Sequence, residues 1–198
     1  MIGALITAAR LCGAIAATWP DVPADRACPA ALAITVEHGA WSPALVAAIA
    51  QHESAFAPSL VNAVLGACGP MQVVWFRERP RQDRRCARVR RDAWAGYRAG
   101  VRKLDQAAGD CDRLGAPGLE CVLRVYAAGP GWRSAGAGRA AGSRHRLAGV
   151  AAQLPAACAL GGDAEASRQT TWQGGSFCAG RSSGFHAVTM CRRPNGSR

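Results

Sequence analysis

The chain has 198 residues, 49% of them apolar and much of that alanine, enough for one core with extensions and too apolar for a disordered middle. Its 24 Lys and Arg against 13 Asp and Glu leave a net charge of +11, almost wholly on arginine, which steers the protein toward polyanions without choosing one. Nine cysteines, with no Cys-x-x-Cys pair and no histidine at zinc-finger spacing, argue against a metal site and for disulfides in an oxidising compartment.

Residues 1–27 read as a leader and linker. Met1 to Thr18 is apolar and alanine-rich, a secretion signal whose hydrophobic run is split by Arg10; its removal would take Cys12 and leave eight cysteines, an even set. No other stretch is long and apolar enough to span a bilayer. Trp19 to Cys28, punctuated by Pro20 and Pro23 and followed by Pro29, reads as extended chain. Ala30 to Gly39 is then a short helix with Leu32, Ile34 and Val36 partly buried, and with Glu37 and His38 as an exposed pair at its end.

Ser42 is a good N-cap and Pro43 suits the first helical position, so a helix is expected from Pro43 to Phe56, before Pro58. Leu45, Ala48, Ile49, His52 and Phe56 share its apolar face. Glu53 lies at the edge of that stripe in the last turn, where burial and the negative end of the helix dipole both raise a carboxyl pKa. A carboxyl held protonated there is a ready general acid. The loop Ala57 to Gly69 follows, with Asn62 capping a turn.

Arg77 to Arg91 carries eight arginines and reads either as a polyanion-binding flap or as a solvated loop. No aromatics are interleaved, which weighs against single-stranded nucleic acid. Asp92 to Gln106 is an amphipathic helix with Trp94, Tyr97, Val101 and Leu104 on one face. Cys111 and Cys121 bracket a Gly/Pro loop and are the first pair to join. Leu119 to Ala127 is a helix stopped by Gly129-Pro130-Gly131. Trp132 to Ser143 reads as a flexible loop and His145 to Leu154 as a last helix. Residues 159–198 form a Gly/Ser/Arg-rich extension without a core, in which Cys178 and Cys191 could close a loop.

Three segments together resemble the lytic transglycosylases of the Slt type, relatives of goose-type lysozyme. Glu53-Ser54-Ala55-Phe56 resembles the family's Glu-Ser-x-Phe, Gly66-Ala67-Cys68-Gly69-Pro70-Met71-Gln72 its Gly-x-x-Gly-Leu-Met-Gln, and Val125-Tyr126-Ala127-Ala128-Gly129-Pro130-Gly131 its Ala-Tyr-Asn-Ala-Gly-Pro-Gly. The resemblance implies a mostly α, lysozyme-like helical domain, here residues 28–158, with irregular terminal extensions. It implies Glu53 as the single acid and later base in cleaving peptidoglycan, with Ser54, Met71, Gln72 and Tyr126 at the substrate, no cofactor, and a 1,6-anhydromuramoyl product. Ala99-Gly100-Val101 loosely matches the family's glycine-bearing helix without its Asn-Ile, and reads as core packing. Two departures stand out: Pro70 replaces a leucine and removes a backbone donor, and Ala127 replaces an asparagine. The alternative is an inactive wall-binding adaptor of a phage particle or secretion apparatus. Expected partners are peptidoglycan glycan strands and, through Arg77 to Arg91, anionic envelope polymers, rather than nucleic acid. The expected location is the periplasm or cell envelope, or outside the cell.

Overall fold

The computed structural model describes residues 2–63, 65–74 and 82–129. The readings of residues 132–198, including the helix at His145 and the Cys178–Cys191 loop, lie outside them. Among the described residues there are six helices and one short two-stranded ribbon, as a mostly α reading requires. α1 runs Ile2–Thr18 and α2 Ala24–Glu37. Leu11 and Ile15 of α1 and Trp19 beyond it enter the same core as the rest of the chain.

The stretch expected to be extended is thus helical from Ala24. Pro23 occupies the N-cap position, its carbonyl accepting from Arg26 N at 2.9 Å and Ala27 N at 3.0 Å, and Pro29 sits inside the helix. An interior proline costs about 3 kcal/mol in an isolated helix. Here the burial of Ala27, Ala30, Ala31, Ala33 and Ile34, and the pairing of Cys28 with Cys12 across a Cα separation of 4.6 Å, offset that cost. Val36, expected to be partly buried, is 52% exposed. Glu37 is not part of an exposed pair: only 11% of its side chain is accessible, and it is bridged by the Arg98 guanidinium.

α3 spans Pro43–Ser54. Its start is the one expected, Ser42 Oγ accepting from Leu45 N at 3.1 Å with Pro43 in the first turn. Its end comes two residues early, at a left-handed C-cap on Ala55. The following loop carries the ribbon β1 (Val61–Asn62) and β2 (Ala67–Cys68), antiparallel, with Val61 opposite Cys68 and Asn62 opposite Ala67. Asn62 Oδ1 accepts from Leu65 N at 3.1 Å, so it does cap the turn.

α4 (Gln82–Arg91) falls where a flap or solvated loop was expected. Its only buried apolar anchor among the described side chains is Val89, and Cys86 ties it to Cys68 of β2 across 5.7 Å between Cα atoms. α5 (Ala93–Arg113) begins at the Asp92 cap, whose Oδ1 accepts from Ala95 N at 3.2 Å. It runs seven residues past the expected Gln106, because Ala107, Ala108 and Cys111 prolong the buried stripe of Tyr97, Val101 and Leu104. α6 (Leu119–Ala128) follows, and Cys111 and Cys121 pair as expected, 5.9 Å apart at Cα. α5 packs on α2, α4 and α6 and is the central strut of the core.

Candidate functional site

The three motif segments, far apart in sequence, meet on one loop. Ser54, in the last turn of α3, is buried, and its hydroxyl donates to Pro70 O at 2.7 Å with Ala50 O also near at 3.2 Å. Tyr126, near the end of α6, donates to Met71 O at 2.6 Å. Two successive carbonyls of the 66–72 segment are therefore held by side chains from the other two segments. Ser54 acts here on protein backbone, and Tyr126 fixes the same loop 55 residues away in sequence.

The third side of this loop rests on α5. A Cβ at Gly96 would lie 2.5 Å from Pro70 Cδ, and one at Gly100 would overlap the Met71 sulfur and come within 2.6 Å of Met71 Cβ. The two glycines, one helical turn apart, form a notch into which Pro70 and Met71 fit. Gly100 thus serves packing, as the sequence implies, and Met71 is fully buried.

Backbone geometry singles out the same place. Among the described residues three non-glycine positions have positive φ: Ala55 (49°), Phe56 (60°) and Gln72 (46°). A bulky residue such as phenylalanine is rarely found there, and such conformations cost of order 1–3 kcal/mol each and gather at functional sites. Phe56 is held by burial at 1% exposure and by a tilted ring contact with Trp19, centroids 5.5 Å apart. Gln72 is held by its own amide, Nε2 donating to Gly69 O at 3.0 Å and Leu60 O at 3.2 Å. Sequence reasoning could not have seen this strain, since none of the three is a glycine or asparagine.

Glu53 stands immediately before this kink, half-buried, in the last turn of α3. Among the described residues Asp92 caps α5, Asp105 accepts from Trp41 Nε1 at 3.0 Å, and Asp110 pairs with Arg113. No group of three or more His, Cys, Asp or Glu suited to a metal occurs among the described residues. No described helix is long and apolar enough to cross a membrane. Behind the site, Tyr97 is buried, and burial pushes its phenol far above the usual range.

Searches of curated proteins and of solved structures gave no match. The family model described as the transglycosylase SLT domain does match, over residues 35–145, which takes in all three motif segments and more than half of the chain. On that match, and on a helical fold that gathers those segments onto one loop, the chain belongs to the SLT-domain family of lytic transglycosylases, which act on peptidoglycan.

Proposed function

We propose that the protein cleaves the β-1,4 bond between N-acetylmuramic acid and N-acetylglucosamine in peptidoglycan, with Glu53 as its single acid and base. Glu53 protonates the glycosidic oxygen as the bond to C1 of the muramoyl residue breaks. Its carboxylate then takes the proton of that residue's 6-hydroxyl as the hydroxyl oxygen bonds to C1, closing a 1,6-anhydro ring. Internal attack needs no positioned water and no second carboxylate. The reading is supported above all by the coincidence of the left-handed kink at Ala55 and Phe56 with the residue that follows Glu53 and Ser54. That turn fixes where α3 stops and so where Glu53 stands.

In this reading Gln72 borders the cleft, while Met71, buried in the α5 notch, seats the loop beneath it. Gln72 Nε2 is engaged by backbone carbonyls, which leaves Oε1 to accept from a sugar hydroxyl. Ser54 and Tyr126 act by holding the 70–71 carbonyls and so the loop that faces the sugar. The cysteine pairs support an oxidising setting, the periplasm or cell envelope or the exterior, with a virion-associated enzyme of a phage as one such case.

The test is Glu53→Gln. Turbidity of purified peptidoglycan should stop falling while the melting temperature stays within a degree or two; retained lysis refutes the assignment. Mass analysis of wild-type products distinguishes anhydro ends from the reducing ends of a hydrolase. A second reading, wall binding without cleavage, is favoured by Pro70 and Ala127 standing where the family has Leu and Asn. Binding to peptidoglycan with no product release would establish it.

A further inference from the structure

A recess of about 540 Å³ opens between α4, α5 and the residues that follow Gln72. Arg85 and Arg88 reach it from α4, and Arg98, Arg102 and Lys103 from α5. Among the described residues no carboxylate lines it. Among the described residues Arg98 is paired with Glu37, and no ion pair takes up Arg88, Arg102 or Lys103. Holding Arg88, Arg102 and Lys103 around one recess raises their mutual repulsion, so an arrangement of this kind is favoured when an anion sits among them.

The shape and lining narrow the anion. Four of the five cations are arginines approaching from two helices, so their planar forks arrive from different directions. A flat carboxylate satisfies one or two forks, whereas a phosphate offers oxygens in several directions. Among the described residues the remaining lining is Val73 and Val74 on one side and Val89, Ala95, Ala99 and the amide of Gln106 on the helices, with no aromatic ring among them on which a base could stack. The recess holds more than one phosphate-sized group. We propose that it is a binding site for the phosphates of a flexible, base-free polymer chain, distinct from the Glu53 site and reached along the same loop just past Gln72.

The test is binding of short-chain sodium polyphosphate to the full-length protein, followed by calorimetry at several salt concentrations. Loss of Arg88, Arg102 and Lys103 together (R88Q/R102Q/K103Q) should weaken binding at least about tenfold and flatten its salt dependence by about two to three charges. A matched triple outside the recess, R26Q/R84Q/R90Q, removes the same charge and should cost less than about threefold, the share of long-range attraction. Equal losses from both triples would overturn the site in favour of diffuse charge, as would no loss from the first. Tighter binding of single-stranded DNA or of polyglutamate of equal charge would overturn the phosphate assignment. Should the recess triple not fold, the single exposed R102Q takes its place, with an expected loss of about threefold and the same overturning result.

Discussion

The pairing of α1 with α2 and the segment from Ser54 to Gln72 are held by opposite means. The first is built on area: Leu11, Ile15, Ala27, Ala30 and Ala31 are buried against one another on backbone without a positive φ. Apolar contact is non-directional, so such a region tolerates small changes of shape. The second contains three strained residues and is fixed by four directional contacts, Ser54 to Pro70, Tyr126 to Met71, and Gln72 to Gly69 and Leu60. Strain of this kind persists only where neighbours over-determine it. Rigidity in this protein is therefore concentrated in the segment next to Glu53, and bulk apolar burial lies elsewhere.

The sharpest way to break this contrast is Gly100→Ala. The added methyl must push Met71 and the loop out of the α5 notch. Overpacking costs about 1–3 kcal/mol, and alanine's better helix propensity returns less than about 1 kcal/mol. We expect a net loss of about 2 kcal/mol in denaturant unfolding, with lysis falling further than stability. At Gly109 on the same helix a Cβ meets nothing closer than Arg113 Nη1 at 3.8 Å. The same substitution there should stabilise by about 0.5–1 kcal/mol, and a loss at Gly109 equal to that at Gly100 would show that the notch is not the cause.

A smaller effect separates the two regions directly. Ser54→Ala leaves the buried Pro70 carbonyl without its donor and should cost about 1–2 kcal/mol, with lysis reduced because the loop loses one of its holds. Ile15→Val should cost a similar amount, about 1 kcal/mol, with specific activity untouched in folded protein. Equal activity in the two variants would mean that the loop is not positioned by Ser54.

The smallest effect has the opposite sign. Among the described residues the Tyr97 hydroxyl is buried and meets no acceptor. Tyr97→Phe removes an unsatisfied group and keeps the ring, so thermal unfolding should show no change or a gain of up to about 1 kcal/mol. A clear loss would reveal a partner for that hydroxyl.

The sequence is legible where local chemistry decides. Ser42-Pro43 announces the start of α3, Asp92 that of α5, and the apolar spacing of Tyr97, Val101 and Leu104 the buried face. It misleads where a distant partner or tertiary burial overrides a local rule. Pro29 looks like a barrier until the alanine face of α2 meets α1. Glu37 looks solvated until Arg98, 61 residues on, is brought beside it. Gly109, Asp110 and Asp112 look like the end of α5, yet Cys111 lies among them, buried and joined to Cys121. The arginine run gives no hint of a helix because its anchors, Val89 and Cys86, are outnumbered by charge. At the site, the motifs disclose which residues gather, and only coordinates disclose that Ser54 and Tyr126 grip backbone carbonyls.

α5 is 21 residues long, about 31 Å, and serves two masters on opposite sides. Gly96 and Gly100 seat the loop, while Arg98 and Arg102, offset by two residues, point half a revolution away toward the cationic recess. Inserting or deleting one residue between positions 100 and 102 would swing everything beyond by about 100°. Chain length across that turn is consequently locked, and natural variation there should take the form of exchange, never of gaps.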